Sequence, residues 1–304
     1  MKKTHLVTHT QHARHLMGNS LGLAELLPAG TRIVKPTPNK EGKFNFPDGE
    51  IYLRLPHLKD VGNITIVHSG YPNPNDGLIE LYMMLDIIRG HKNALGKIHI
   101  VFASFPYARQ DNSYYDGELN AARELLRTLI DKGASSFSVI DAHFAGESWT
   151  RSLPIENVSM TENLMQYAQL SHPGIVFMTP DAGSRRRTRI KSGTTKTRTN
   201  SFEVEVKSDD MFRDQVSGKI VAVVDDLLST GMTLQRFLTE AKRSGAKKVA
   251  ALVTHGVNPA GIELTKSTFD GGLFMTNTID RPEANIDATQ TVWGLIQKDV
   301  LHAH

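Results

Sequence analysis

Residues 219–234 read KIVAVVDDLLSTGMTL, an apolar run followed by two adjacent carboxylates and a small polar loop. In a parallel sheet, ligands bind beyond the carboxyl ends of the strands, where Asp225 and Asp226 can accept hydrogen bonds from sugar hydroxyls. The loop offers hydroxyls, a glycine and backbone N–H groups at the start of a predicted helix, which favour a bound monophosphate. The alternative is a strand that simply ends in a polar turn and a helix N-cap. The loop consists of Ser229, Thr230, Gly231, Met232 and Thr233.

Three further polar stretches follow predicted strands and carry residue types that bind phosphate or metal. FPYARQD places Arg109, Gln110 and Asp111 at such a strand end, where a guanidinium suits phosphate oxygens, although a structural salt bridge is the alternative. His143 in DAH and Asp181 in TPDAG follow strands in the two halves of the chain. Facing one cleft, they would form a sparse Mg²⁺ site, because magnesium takes few protein ligands. Each alone is more typical of a capping or core-edge residue.

The elements that must position these residues alternate between β-branched runs and helical patterns. NITIVHS, GLIELYMMLDIIRG, KIHIVFASF, ELNAARELLRTLIDKG and SFSVIDAH predict strand, helix, strand, helix and strand, the order of a right-handed parallel α/β sheet. Leu78, Leu81, Leu85 and Ile88 recur at three and four residues and predict one apolar stripe that packs on the sheet. The strands are apolar on both faces, which predicts helices on each side.

The same pattern begins again in the second half of the chain. A helix with Thr161 as its N-cap precedes the strand GIVFMTPDAG, and further strands and helices follow. The order helix, Gly-Ala, strand and His occurs over residues 133–143 and again, with the same spacing, over 245–255. This repeat predicts a duplicated α/β domain, with ligands near a cleft between the two lobes. We therefore divide the chain into domains 1–150 and 151–304.

The composition argues against several classes of function. A chain of 304 residues with 39% hydrophobic and 22% charged residues is long enough for two cores. A net charge of +3 with interspersed signs does not predict a nucleic-acid surface. The start shows no apolar stretch of signal-peptide length, and no run of about 18 apolar residues occurs, so we expect neither export nor a membrane span. The lack of cysteine fits a reducing compartment, and the cytoplasm is our expectation.

Several short motifs in a fixed order carry a family resemblance. The acid pair and its loop resemble the phosphoribosyl diphosphate (PRPP) motif of type I phosphoribosyltransferases and of PRPP synthetases. The other motifs occur in this order in PRPP synthetases and not in ordinary phosphoribosyltransferases, and the resemblance spans roughly residues 44–280. It implies an α/β fold of two tandem type I phosphoribosyltransferase-like domains with parallel sheets flanked by helices, the first on the ATP side. These other motifs are FPDGE (46–50), FPYARQD (105–111), DAH (141–143), TPDAG (179–183), KTR (196–198) and TNTI (276–279).

The resemblance also implies roles for individual residues. FPDGE, which by itself reads as a surface hairpin, would be an adenine-binding loop lent by a neighbouring subunit, with Phe46 stacking on the base. That implies a homo-oligomer, a hexamer or a smaller even assembly. Lys196 and Arg198 would be the catalytic cations of a flexible loop within the basic stretch 184–201, which by itself reads as a solvated, mobile loop. The implied ATP contacts are Phe46, Asp48, Glu50, Arg109, Gln110, Asp111 and His143. The implied ribose-phosphate contacts are Asp181, Asp225, Asp226, Ser229, Thr230, Gly231, Met232 and Thr233, with His143 and Asp181 as Mg²⁺ ligands.

The activity implied is transfer of a pyrophosphoryl group from Mg-ATP to the anomeric hydroxyl of ribose 5-phosphate, giving PRPP and AMP. Such chemistry needs positioning and charge neutralisation more than covalent catalysis. Lys196 and Arg198, closing over ATP, would stabilise charge on the transferred group and exclude water. The implied partners are ATP and a ribose 5-phosphate-type substrate, with no nucleic acid and no membrane.

Departures from the family pattern leave the acceptor open. NSYYDGELN replaces basic residues and a proline turn after RQD, Met232 stands where synthetases have glycine, and the segment 181–196 looks shorter. Ser184 and three arginines replace a glycine and one or two basic residues. One hypothesis is a larger acceptor such as ADP-ribose. A non-catalytic regulatory paralogue and a nucleobase phosphoribosyltransferase are two further hypotheses. The arginines that would meet the extra phosphate of ADP-ribose are Arg185, Arg186 and Arg187.

Overall fold

The structure is a computed structural model in which the chain forms two compact units. The first comprises Met1–Val158, Thr278–Asp280 and Ala288–His304, and the second comprises Ser159–Asn277 and Arg281–Asp287. The division therefore differs from the predicted boundary after residue 150, and the C-terminal segment belongs to the first unit. The residues described are 4–18, 22–91, 96–188, 190, 195–198, 204–207 and 210–302, with the backbone alone for 195–198, 204–207, 210 and 211. Over these residues, no helix is long and apolar enough to cross a membrane.

The first unit is built on a six-stranded parallel sheet with the strand order β2-β1-β3-β4-β5-β6. The strands are β1 Thr4–His9, β2 Thr31–Ile33, β3 Val61–Ser69, β4 Ile98–Ser104, β5 Ser136–Ile140 and β6 Ile155–Val158. The helices are α1 Pro74–Gly90, α2 Ala121–Asp131 and, from the end of the chain, α8 Thr289–His302. Short 3₁₀ helices span Gln11–Met17, Leu23–Leu26 and Ser148–Ser152. The predicted alternation of strands and helices is confirmed as β3, α1, β4, α2 and β5.

One face of this sheet packs on the apolar stripe of α1. Leu78, Leu81, Leu85 and Ile88 are all buried and belong to the main core of the unit, as their spacing predicts. Burying a side chain of this kind contributes about 1.5–3 kcal/mol.

The other face of the first sheet carries buried polar side chains, so the prediction of strands apolar on both faces is wrong here. The Thr65 hydroxyl donates to Asp299 Oδ2 of α8 at 2.5 Å and contacts His5 Nε2 at 2.8 Å. His99 contacts the hydroxyls of Ser136 and Ser138 through its two ring nitrogens. Because buried polar groups require partners, the hydrogen bond from Thr65 to Asp299 links the C-terminal helix to this face of the sheet.

The second unit contains a four-stranded parallel sheet with the strand order β12-β11-β10-β7. The strands of this unit are β7 Val176–Met178, β8 Thr195–Arg198, β9 Val204–Lys207, β10 Ile220–Leu228, β11 Lys248–Gly256 and β12 Leu273–Met275. Its helices are α3 Thr161–Ser171, α4 Ala182–Thr188, α5 Asp210–Val216, α6 Met232–Arg243 and α7 Pro259–Thr268. The sheet is apolar on both faces, as predicted: Val223 packs with Phe237 of α6, and Val224 packs with Leu164 of α3.

Two local features of the second unit differ from the predictions. Thr161 is the first residue of α3 rather than its N-cap, and its N–H donates to the Ser159 hydroxyl at 3.1 Å. The basic stretch 184–201, predicted as a loop, contains β8, which pairs antiparallel with β9 beyond the stretch: Lys196 lies opposite Val206 and Arg198 opposite Val204.

The predicted repeat is visible as the same helix ending in both units. Gly133 after α2 and Gly245 after α6 have φ angles of 102° and 89°, in the left-handed region that favours glycine. The following alanines, Ala134 and Ala246, each donate an N–H to the carbonyl five residues earlier at 2.9 Å. Both helices thus end in a Schellman motif and lead into a parallel strand, which is consistent with a duplicated α/β domain.

Candidate active site

Two carboxylates lie buried side by side near the end of the central strand β10. Asp225 and Asp226 are 8% and 3% exposed, and the strand continues beyond them to Leu228. Burial and, secondly, the negative charge of Asp226 raise the pKa of Asp225 to about 7, while the charge of Arg187 opposes both effects. A buried acid pair of this kind requires a counter-charge and hydrogen-bond donors.

The counter-charge comes from Arg187 in the last turn of α4. Its Nε donates to Asp226 Oδ1 at 2.8 Å, and its Nη2 lies 3.5 Å from Asp225 Oδ1. The Ser184 hydroxyl donates to Asp225 Oδ1 at 2.7 Å, while the Ser184 N–H donates to Asp181 Oδ1 at 2.8 Å. Asp181, predicted from TPDAG, is thereby joined to the acid pair through α4.

The sequence reasoning did not find this network, because it treated the three consecutive arginines as one basic set. The spacing of Ser184 and Arg187 on a helix was the available signal, since residues three apart share one face.

The loop after β10 leads directly into the N-terminus of α6. Gly231 is the N-cap of this helix, with a φ of 78°, and Met232 is its first residue. Thr230 and Met232 are exposed, whereas Ser229 and Thr233 are half-buried. The first N–H groups of a helix have no partners within it and favour an anion, so this segment has the character of a phosphate site.

A second glycine, which the sequence reasoning missed, lets helix α7 approach the same loop. A Cβ on Gly261 would clash with the carbonyl oxygen of Ser229. A Cβ on Gly231 would approach the Thr265 hydroxyl at 3.2 Å. The backbone path of the loop therefore depends on close packing against α7.

In the first unit, FPYARQD follows β4, as predicted. Arg109 and Gln110 are exposed, whereas Asp111 is buried. The Asp111 carbonyl accepts hydrogen bonds from Trp149 Nε1 at 3.0 Å and from Asn120 Nδ2 at 2.5 Å. Asn120 also caps α2, because its Oδ1 accepts from the Arg123 N–H at 2.9 Å. These bonds fix the backbone of the loop that carries Arg109.

A line of aromatic rings joins this loop to the turn after β5. Phe102 packs on Phe105, Phe105 on Phe144, and Phe144 on Trp149, with centroid distances of 4.7, 5.0 and 5.1 Å. His143 lies in that turn, half-buried, directly before Phe144. The position of His143 therefore depends on the same aromatic packing that supports FPYARQD. The sequence reasoning did not identify Trp149, whose only signal was a tryptophan in a polar stretch.

FPDGE forms a tight surface turn, as its Pro-Asp-Gly sequence predicts. Asn45 pairs with Ile51 in an antiparallel bridge, and the Phe46 N–H donates to the Glu50 carbonyl at 2.8 Å. Asp48 Oδ1 accepts from the Glu50 N–H at 3.2 Å. The Phe46 ring is 45% exposed and meets only the edge of another ring, that of Tyr52, at 5.8 Å in the described residues.

The binding and catalytic roles of the predicted site residues remain predictions, among them the metal ligands and the catalytic cations. In the described residues, no group of three or more His, Asp or Glu side chains is arranged to hold a metal ion. His143 lies in the first unit and Asp181 in the second. Lys196 and Arg198 lie in β8, and their side chains fall outside the described part of the chain.

The second unit has the architecture of proteins that bind phosphorylated sugars: a parallel sheet with buried acids late in its central strand, then a glycine loop and a helix N-terminus. A family model for the N-terminal domain of ribose phosphate pyrophosphokinase matches residues 33–133. The ribose-phosphate pyrophosphokinase of Thermococcus kodakarensis is 31% identical over 273 residues, which cover 86% of this chain and 92% of the relative. That of Methanopyrus kandleri is 28% identical over 289 residues, which cover 90% of this chain and 96% of the relative. The chain belongs to the ribose-phosphate pyrophosphokinase family.

The fold agrees with this assignment. A crystal structure of phosphoribosylpyrophosphate synthetase from Mycobacterium smegmatis matches 99% of this chain and 100% of its own, with a TM-score of 0.79 and 20% identity. The predicted fold of two parallel sheets flanked by helices, similar to type I phosphoribosyltransferases, is confirmed, as is the predicted family.

Proposed function

We propose that this protein transfers the pyrophosphoryl group of Mg-ATP to the anomeric hydroxyl of ribose 5-phosphate, releasing AMP. The observation that carries the proposal is the buried pair Asp225 and Asp226, which is separated by two residues from a phosphate-type loop that leads into the N-terminus of α6. The names of the relatives support the same reaction.

In this proposal the second unit binds the acceptor. Asp225 and Asp226 accept hydrogen bonds from the ribose hydroxyls, and the segment from Ser229 to Thr233 surrounds the 5-phosphate with backbone N–H groups. The positive end of the α6 dipole favours the phosphate dianion. Held at both ends, the sugar presents its anomeric hydroxyl in one orientation, which lowers the entropic part of the barrier.

The first unit binds the nucleotide. Arg109 and Gln110 are exposed on a loop whose backbone is fixed by Trp149, and a guanidinium suits phosphate oxygens. Phe46 offers an exposed ring for stacking on adenine, with Asp48 and Glu50 in the same turn. Since the Phe46 ring lies on a surface turn, we propose that it stacks on adenine bound to a neighbouring subunit. The active form would then be a homo-oligomer.

Cations stabilise the negative charge on the transferred pyrophosphoryl group. Lys196 and Arg198 of the basic segment stabilise the negative charge that develops between ATP and the acceptor. His143 of the first unit and Asp181 of the second would each be a candidate ligand for a Mg²⁺ ion that arrives with ATP, because such an ion takes only one or two protein ligands besides phosphate oxygens. When bound, the ion neutralises phosphate charge.

A larger acceptor such as ADP-ribose is the second candidate. Arg186 is exposed on α4 and is suited to a further phosphate, whereas Arg187 is engaged by the acid pair. That engagement weakens the case for the larger acceptor.

The test is AMP formation from Mg-ATP with ribose 5-phosphate and, in parallel, with ADP-ribose, with products identified by mass spectrometry. We expect AMP with ribose 5-phosphate, and its loss in Lys196→Ala. AMP with ADP-ribose alone would establish the larger acceptor, and no AMP with either would favour a non-catalytic regulatory protein.

A further inference from the structure

The side chain of Arg187 is almost completely enclosed by acceptor-site groups. It is 10% exposed, and it contacts carboxylates on β10 while standing on α4. Its Nη2 also donates to the Ser184 hydroxyl at 3.1 Å, and that hydroxyl donates to Asp225. One guanidinium thus touches three members of a single buried network.

The charges around Arg187 explain why it remains a cation there. Burial alone would lower the pKa of Arg187, but the carboxylates of Asp226, Asp225 and Asp181 raise it above its ordinary value. The charged and titratable groups that face the guanidinium are Asp225 and Asp226 on β10 and Asp181 before α4. The cluster therefore holds one fixed positive charge among three carboxyl groups.

We propose that Arg187 is a positioning residue for the ribose acceptor: its guanidinium orients the carboxylates of Asp225 and Asp226 and keeps both available as hydrogen-bond acceptors. The inference rests on the proposed function and adds a residue to its acceptor site. It also separates Arg187 from Arg185 and Arg186, its neighbours in the run of three arginines.

The physical reason lies in the repulsion between two buried carboxylates. Even beside Arg187 the pKa of Asp225 is raised to about 7, because burial and the charge of Asp226 outweigh the guanidinium. Loss of that positive charge would raise this pKa further, and the two carboxylates would then share a proton at and above neutral pH. A protonated carboxyl group donates through one oxygen and is a weaker acceptor for sugar hydroxyls, because it has lost its negative charge. Removing the charge of Arg187 should therefore weaken the binding of ribose 5-phosphate, most strongly at lower pH.

The experiment compares Arg187→Met and Arg187→Lys with Arg213→Met, a control at an exposed arginine on α5 of the same unit. The readouts are kcat and KM for each substrate between pH 6 and 9, and the Kd of ribose 5-phosphate by calorimetry. For Arg187→Met we expect KM and Kd for ribose 5-phosphate to rise by about tenfold, as for a lost charge-assisted hydrogen bond. We expect KM for ATP to stay within about twofold. The acid limb of the Kd profile should move up by at least about one pH unit.

The conservative variant separates positioning from folding. Arg187→Lys keeps the charge and should restore the acid limb while recovering part of the affinity, even if Arg187→Met proves too unstable to assay. Equal weakening of ATP and ribose 5-phosphate by Arg187→Lys, or an unchanged pH profile in Arg187→Met, would overturn the inference.

Failure of the proposed function gives a different pattern. If the wild type releases no AMP but binds ribose 5-phosphate, only the proposed reaction fails, and the Kd profiles still decide the role of Arg187. If the wild type binds no ribose 5-phosphate, both proposals are overturned.

Discussion

Trp149 Nε1 donates a hydrogen bond to the Asp111 carbonyl at 3.0 Å, which ties the segment after β5 to the loop after β4 that we propose binds the nucleotide. Trp149→Phe keeps an aromatic ring and removes this donor, while Asn120 still satisfies the carbonyl. We expect the free energy of unfolding to fall by about 1 kcal/mol. Because Arg109 lies on the same loop, KM for ATP should rise while KM for ribose 5-phosphate does not.

The chain offers a matched control in Trp293, whose Nε1 donates to the Leu16 carbonyl, also at 3.0 Å. Trp293→Phe should lower the free energy of unfolding by a similar amount in urea titrations and leave both KM values unchanged. Equal effects of the two variants on KM for ATP would contradict a specific role for Trp149.

Phe46→Ala should separate nucleotide binding from stability. The ring is 45% exposed, so its removal should change the free energy of unfolding by less than about 0.5 kcal/mol. Loss of a stacking surface for adenine should raise KM for ATP by roughly tenfold, as for about 1–3 kcal/mol of base stacking. Tyr167 on α3, 49% exposed, is the control, and Tyr167→Ala should have no effect on KM. Unchanged KM in Phe46→Ala would remove this residue from the proposed site.

The close packing of α7 against the loop 229–233, which we propose binds the 5-phosphate, predicts opposite outcomes for two helical glycines. In Gly261→Ala the new methyl group meets the Ser229 carbonyl, so we expect lower stability and a higher KM for ribose 5-phosphate. In Gly294→Ala on α8 the added Cβ meets no described atom within 4 Å, and the free energy of unfolding should rise by up to about 1 kcal/mol. Thermal unfolding and initial rates measure both, and a tolerated Gly261→Ala would show that the loop adjusts freely.

Acid should destabilise the first unit through His68. Burial and the neighbouring His12 lower the pKa of His68 from 6.5 to about 3, so the folded state keeps it neutral while the unfolded state takes up a proton below pH 6.5. The contribution of neutral His68 to the free energy of unfolding is complete above pH 6.5. It is lost as the pH falls toward 3, by about 1.4 kcal/mol per pH unit. Urea titrations from pH 7 to 5 should therefore show a smaller decline in His68→Asn than in the wild type.

Glu80 makes the free energy of unfolding depend on pH in the opposite direction to His68. Burial raises its pKa to about 7, although the Gln11 N–H lowers it, so its contribution is present below pH 4.5 and lost as the pH rises through 7. The difference between the wild type and His68→Asn isolates the histidine from this effect. Parallel slopes for the two proteins would contradict the assignment.

Features with a local cause were predictable from the sequence. The spacing of Leu78, Leu81 and Leu85 fixes one face of α1, and the repeated glycines at 133 and 245 follow from the left-handed helix endings that favour this residue. The acid pair was recognisable because two adjacent carboxylates stand near the carboxyl end of an apolar strand, where parallel sheets bind their ligands.

Features that depend on how elements pack were not predictable. Arg187 is one of three consecutive arginines, and only the placement of α4 beside β10 selects it as the partner of Asp226. Likewise, the buried polar face of the first sheet is explained by a partner more than 200 residues away in the chain. The hydroxyl of Thr65 donates a hydrogen bond to the carboxylate of Asp299. Such long-range pairing leaves no periodic signal in the sequence.

The most direct test of the proposed reaction is ³¹P NMR of the purified protein with Mg-ATP and ribose 5-phosphate. We predict AMP together with the diphosphate signals of PRPP, dependent on ribose 5-phosphate. Formation of ADP or inorganic phosphate instead, or AMP released equally when ribose 5-phosphate is omitted, would contradict pyrophosphoryl transfer to this acceptor.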